Sequence, residues 1–177
     1  RLLFTAGAMG TGKTHALRLL APRIGVDLGA CCLINPDAIK HKLPEYRALL
    51  REQPELAATH VHRESGLVQE IALWAALARR ADVVVDGTLR DVEWNTRLFA
   101  DVRARHSPPY RIEIMYVSAA PAVVLARAER RVAITGRRIP RHLLVDTLER
   151  IPSAIAALRQ LADRTYYVRN DDTPLLE

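Results

Sequence analysis

Eight residues near the start of the chain, Gly7-Ala8-Met9-Gly10-Thr11-Gly12-Lys13-Thr14, have the types and spacing to hold phosphate. They fit the pattern G-x-x-x-x-G-K-[ST]. Glycines let backbone N–H groups turn inward and approach phosphate oxygens with no Cβ in the way. A helix start directly after the loop adds partial positive charge. Lys13 is then placed to reach the β- and γ-phosphates of a nucleotide, and the Thr14 hydroxyl to ligate Mg²⁺. Two carboxylates suit the same chemistry. Asp37 has two readings, a base that accepts the proton of a substrate hydroxyl or a helix cap, where Asp is favoured. Asp86 is read as the second acidic element, holding Mg²⁺ directly or through water, or as a carboxylate that only caps the next turn. Asp86-Gly87-Thr88-Leu89-Arg90 adds a hydroxyl and a guanidinium beside it.

Arg127, Arg130 and Arg131 recur at i, i+3 and i+4 and so share a helix face, and Arg137 and Arg138 follow. Five arginines this dense repel one another unless an anion lies between them. A lid over about 127–141, hinged at Gly136, closing on the phosphates of ATP and excluding water, supplies that anion. A solvated basic face is the alternative.

These groups need strands and helices to position them. Leu2-Leu3-Phe4-Thr5-Ala6 reads as a strand before the loop, and a helix follows to about Ala21. Ala30-Cys31-Cys32-Leu33-Ile34 reads as a second, buried strand, ending three residues before Asp37. A short helix runs on through Lys42, and Leu43-Pro44-Glu45-Tyr46 breaks it. A long helix fits residues 55–81 with Leu67, Ile71, Trp74 and Ala78 on one face. The β-branched run from Asp82 to Asp86 signals a strand buried on both sides, as in parallel sheets. A helix to about Arg105, a strand at 111–117, and a helix from Pro121 to about Ile134 come next. A helical stretch from Leu144 to Leu158, kinked or restarted at Pro152, precedes a fifth strand at 165–168. The expected fold is a single P-loop NTPase-type domain: a three-layer α/β/α arrangement on a five-stranded, mainly parallel sheet. Ligands then sit beyond the carboxyl ends of the strands, where the loop, Asp37 and Asp86 all fall.

The 177 residues suffice for one full-sized core, and 49% apolar with 26% charged residues is ordinary for a globular chain. The net charge of +6 leaves a polyanion partner open, nucleic acid included. Aromatic residues make up only 5%, and no ladder of them suggests single-strand stacking. The adjacent Cys31 and Cys32 cannot easily pair with each other and are too few for zinc, so buried thiols in a reducing compartment are expected. The six histidines form no metal set. No stretch approaches the roughly 18 apolar residues of a membrane span, and no secretory leader is read, so a cytoplasmic location is expected.

Taken in order, the phosphate loop, Asn35-Pro36-Asp37-Ala38-Ile39-Lys40, Leu43-Pro44-Glu45-Tyr46, His62-Arg63-Glu64-Ser65 and Val85-Asp86-Gly87-Thr88-Leu89-Arg90 resemble the zeta toxin family, from Phe4 to about Ile155. The resemblance implies a P-loop kinase that uses ATP and Mg²⁺ to phosphorylate a sugar hydroxyl of UDP-N-acetylglucosamine. It implies that Asp37 activates that hydroxyl, that Glu64 contacts the sugar, and that Thr88 and Arg90 hold the substrate. Lys40 stands where many members have Arg, and Asp86 where some have Glu. Arg127 and Arg138 best match the lid arginines that grip ATP, with Arg130, Arg131 and Arg137 as substitutes. No antitoxin lies in this chain, and a toxin role does not follow from a kinase fold. Three other readings stay open: a polynucleotide or RNA end kinase, a non-catalytic nucleotide-binding module, and a kinase that inactivates an antibiotic.

Overall fold

A computed structural model describes residues 1–54, 56–135 and 141–177. The strands are β1 (Leu2–Ala6), β2 (Cys32–Ile34), β3 (Val83–Asp86), β4 (Ile112–Ser118), β5 (Arg164–Arg169) and β6 (Leu175–Leu176). The helices are α1 (Lys13–Leu20), α2 (Pro36–Lys42), α3 (Pro44–Glu52), α4 (Ala57–His60), α5 (His62–Ala78), α6 (Val92–Arg105), α7 (Pro121–Thr135) and α8 (Arg141–Leu158). The strands form one sheet in the order β2-β3-β1-β4-β5-β6. All neighbours are parallel except β5 and β6. The chain leaves β1 for β2 on one side and later crosses to β4 on the other. The tip of β1 is therefore a switch point, the crevice where open α/β sheets bind ligands.

Alternation along the central strands splits the core in two. Leu2, Phe4, Val83, Val85, Ile112 and Ile114 meet Leu73 and Leu77 of α5, Phe99 of α6 and Ile151 of α8. Leu3, Val84, Met115 and Val117 point the other way, onto Ala16, Leu17 and Leu20 of α1. Each such fully buried Leu, Ile or Phe contributes about 1.5–3 kcal/mol. The result is the three-layer α/β/α architecture expected.

Several expectations need correction. The sheet has six strands among the described residues, not five, because the tail folds back as the two-residue β6. β2 is shorter than 30–34 and lies at the sheet edge, so Leu33 is 50% exposed and both cysteines are only half-buried. The short helix ends at Lys42 as expected, with Leu43 extended before Pro44, but Pro44 also starts a new helix, α3, where its missing N–H is harmless. The long helix is interrupted at Val61, between α4 and α5. Leu67 and Ile71 of its expected inner face are 59% and 60% exposed, and Ser65, Leu73, Ala76 and Leu77 are buried instead. α8 runs on through Pro152 as one helix.

One carboxylate lies inside the α1 side of the sheet. Glu113 of β4 is fully buried. Arg1 donates from Nε to its Oε2 at 2.8 Å and makes a second, closer contact to the same atom through Nη2. Tyr166 donates its hydroxyl to Oε2 at 3.3 Å, and Arg111 Nε lies 2.8 Å from Oε1. Arg1 also donates to the carbonyls of Gly25 and Ile24.

Candidate active site

The site is built at the tips of β1 and β3. Three glycines of the loop, Gly7, Gly10 and Gly12, have φ of 138°, 90° and 81°, a region other residues rarely adopt. A Cβ at Gly7 would sit 2.3 Å from the Val117 carbonyl oxygen. Ala8 and Thr11 are buried, and Met9 is half-buried between them. Thr11 closes the turn by donating its hydroxyl to the Ala8 carbonyl. Gly12 precedes α1, so the helix begins at Lys13 with its N-terminus at the loop.

Asp86 ends β3 and is gripped by three side chains. Thr5 donates to Oδ1 at 2.7 Å, Thr14 donates to Oδ2 at 2.9 Å and Asn35 Nδ2 donates to Oδ2 at 3.1 Å. The turn after β3 takes its support elsewhere, since Gly87 N donates to Thr5 Oγ1. Asp86 is thus aimed at Thr14 and not spent as a cap. A carboxylate and a hydroxyl side by side form an all-oxygen donor set that suits Mg²⁺, which usually takes one or two carboxylates plus phosphate and water. Thr14 and Asp86 would hold that ion.

Lys13 Nζ donates to the carbonyls of Gly7 and Ala8 at 2.9 and 3.1 Å, so its ammonium lies across the loop. Burial lowers its pKa from 10.5 to about 8, against the carboxylates of Asp86 and Asp37, which raise it; Arg131 adds to the fall. The sign of the linkage follows. Phosphate anions restore the charged form, so above pH 8 the free protein must gain a proton on binding nucleotide. Calorimetry in buffers of different ionisation enthalpy should show uptake rising toward about one proton between pH 8 and 10. No uptake across that window would contradict this placement of Lys13.

Asp37 lies on the first turn of α2, but Asn35 is the cap: its Oδ1 accepts from the N–H groups of Asp37 and Ala38. The Asp37 carboxylate faces Lys40 Nζ at 3.7 Å and Arg131 Nη2 at 3.9 Å. Lys40 and Arg90 also act on His62, whose imidazole is pushed below its ordinary pKa first by burial and then by these two cations. The structure therefore gathers Lys13, Thr14, Asp37, Asp86, Lys40 and Arg131 around the loop, with His62 in the reach of both Lys40 and Arg90. Thr88 touches the loop through its backbone, accepting from Gly7 N at 3.5 Å. Glu64, on the first turn of α5, and Arg130, on α7, are exposed. Arg127 donates to the carbonyls of Asn170 and Asp171 at 2.8 and 3.1 Å and more distantly to Thr11. Gly136, Arg137 and Arg138, and with them the lid hinge, lie outside the described residues.

Thr5, Asn35, His62 and Asn170 take part in this arrangement without having been assigned roles from sequence. Thr5 carried a signal, as a polar residue inside an apolar strand that points into the sheet. Asn35-Pro36 carried another, since Asn before Pro starts a helix.

Among the described residues no helix is long and apolar enough to cross a membrane. The profile of a family described as Zeta toxin matches residues 1–177. No curated protein matches the chain. Among solved structures, one from the PezAT chromosomal toxin–antitoxin system of Streptococcus pneumoniae superimposes with a TM-score of 0.75 at 18% identity, covering 98% of this chain and 70% of that one. A candidate kinase from Chloroflexus aurantiacus J-10-fl gives 0.65 at 16% identity, covering 97% and 88%. A chain of the Pnkp1/Rnl/Hen1 RNA repair complex gives 0.61 at 18% identity, covering 99% and 47%.

Proposed function

Because the chain belongs to the zeta toxin family, we propose that it is an ATP- and Mg²⁺-dependent kinase acting on a hydroxyl of a nucleotide sugar such as UDP-N-acetylglucosamine. One observation carries the reading: the Lys13 ammonium lies within electrostatic reach of both Asp86 and Asp37. The groups assigned to the transferring phosphate, to the metal and to the acceptor's proton thus lie near one another. Little covalent chemistry is asked of the protein in phosphoryl transfer; positioning and charge neutralisation do most of the work. Thr14 and Asp86 would hold Mg²⁺, which would neutralise phosphate charge. Lys13 adds a fixed positive charge, and the loop N–H groups orient the phosphates. Asp37 accepts the proton of the acceptor hydroxyl as its oxygen bonds to the γ-phosphorus and the bond to the bridging oxygen breaks, with ADP leaving. Lys40, beside Asp37, and Arg90, which with Lys40 acts on His62, suit an acceptor that itself carries phosphate. Arg127, Arg130, Arg131 and Arg138 are assigned to the lid side, while Glu64 and Thr88 are assigned to the acceptor.

An antitoxin is the protein partner that fits this reading, since the similar pneumococcal structure comes from a toxin–antitoxin system. The test is incubation with ATP, Mg²⁺ and a panel of nucleotide sugars, with mass spectrometry of the products. A nucleotide sugar heavier by one phosphate is expected. If no sugar is modified while oligonucleotide ends are labelled, with affinity that falls steeply with salt, the acceptor is a polynucleotide and the proposal fails.

A further inference from the structure

Thr11, in the phosphate loop, and Asn170, just past β5, are 159 residues apart in sequence, yet Asn170 Nδ2 donates to the Thr11 carbonyl at 2.7 Å in a buried contact. Asn170 is 1% exposed. Its own backbone is pinned on both sides: N donates to the Ser118 carbonyl at 2.8 Å, and O accepts from Arg127 Nη1 at 2.8 Å. The next residue is pinned as well, Asp171 accepting from Ala120 N and from Arg169 Nε, both at 2.6 Å. The tips of β4 and β5 and helix α7 thus form a rigid seat, and the Asn170 amide reaches from it to the loop. The approach is close. A Cβ at Gly12 would lie 2.4 Å from Nδ2.

Packing alone does not call for an amide here. Among the described residues Asn170 Oδ1 is buried and accepts from nothing. An apolar side chain would occupy the space without a stranded acceptor. The amide is therefore explained by the one bond it makes. In a trans peptide the C=O and the following N–H point in opposite directions. Fixing the Thr11 carbonyl toward Asn170 turns the Gly12 N–H away from it. We propose that Asn170 is a positioning residue for the phosphate loop, holding the Thr11–Gly12 peptide in the orientation that presents its N–H to a bound polyphosphate. This rests on nucleotide binding at the loop and is independent of the acceptor.

The test compares wild type, Asn170→Leu and Asn170→Ala for affinity toward ATP, GTP and tripolyphosphate, alongside thermal melting. Both variants remove the donor, and the loss of one buried hydrogen bond predicts that all three ligands weaken about tenfold and equally. Both should melt lower than wild type, because the buried Thr11 carbonyl loses its donor, but a merely structural role would leave the affinities of the folded protein unchanged. If Asn170→Leu fails to fold, Asn170→Ala carries the test. Wild-type affinity in either folded variant overturns the inference alone and leaves the kinase reading standing. A loss confined to ATP also overturns it, because the amide would then be reading the base. Wild-type protein that binds none of the three ligands would overturn both.

Discussion

Asp37→Asn should bind nucleotide as tightly as the parent and lose about 10²–10⁴ in turnover, the range expected when a general base is removed. The substitution is nearly isosteric, and the local structure does not depend on the carboxylate. Asn35, not Asp37, caps α2. The Asp37 side chain is 44% exposed, so no core is disturbed. Its partners at 3.7 and 3.9 Å are long, partly solvated ion pairs, a class that typically contributes about 0–1 kcal/mol. What the amide lacks is a basic oxygen for the acceptor proton. Single-turnover phosphorylation and nucleotide titration on the same preparation separate the two effects. A variant that turns over at close to the parent rate would remove Asp37 from the chemistry, whatever its nucleotide affinity.

Arg1→Met should destabilise the fold by about 3–5 kcal/mol, as breaking a buried ion pair from one side does. The reason is Glu113, fully buried on a central strand. Without the Arg1 guanidinium, Oε2 keeps, among the described residues, the Tyr166 hydroxyl, and the carbonyls of Gly25 and Ile24 lose this donor. Arg111 still faces the other oxygen, but from a side chain that is 57% exposed. For a chain of this size each kcal/mol moves the melting temperature by about 2–4 °C, so a fall of about 6–20 °C is expected. The double variant Arg1→Met/Glu113→Met should recover much of the loss, because replacing both ions of a buried pair with apolar groups is often near neutral. A single variant within about 1 kcal/mol of the parent would show that the pair behaves as a surface one.

The phosphate loop was legible because its chemistry forces its residue types: left-handed glycines, one lysine and one hydroxyl at fixed offsets. β3 was legible because a run of valines between two aspartates has few other uses. α5 was misread at its inner face for a physical reason. From Leu67 to Ala78 nearly every residue is apolar, so the helical period carries little contrast, and tertiary packing chose Leu73, Ala76 and Leu77 over Leu67 and Ile71. α3 was missed because Pro44 reads as a stop when it follows a helix and as a start when it precedes one. β6 is two residues long and takes its existence from β5, which no local pattern announces. Asn170 was invisible for the same reason on a larger scale, since its meaning lies in a residue at the other end of the chain. Asp37 and Asp86 were visible as carboxylates at strand ends, but only the structure separated the cap from the candidate base, by giving the capping role to Asn35.

Asn35 has a mechanical consequence. Its oxygen receives the first N–H groups of α2, and its nitrogen holds Asp86 Oδ2. A single amide thereby sets the gauge between the helix that carries Asp37 and the carboxylate that bonds Thr14. The two halves of the proposed reaction centre cannot drift apart separately: any sway of α2 against the sheet pulls on Asp86, and the tolerance for in-line alignment is inherited from the span of one side chain.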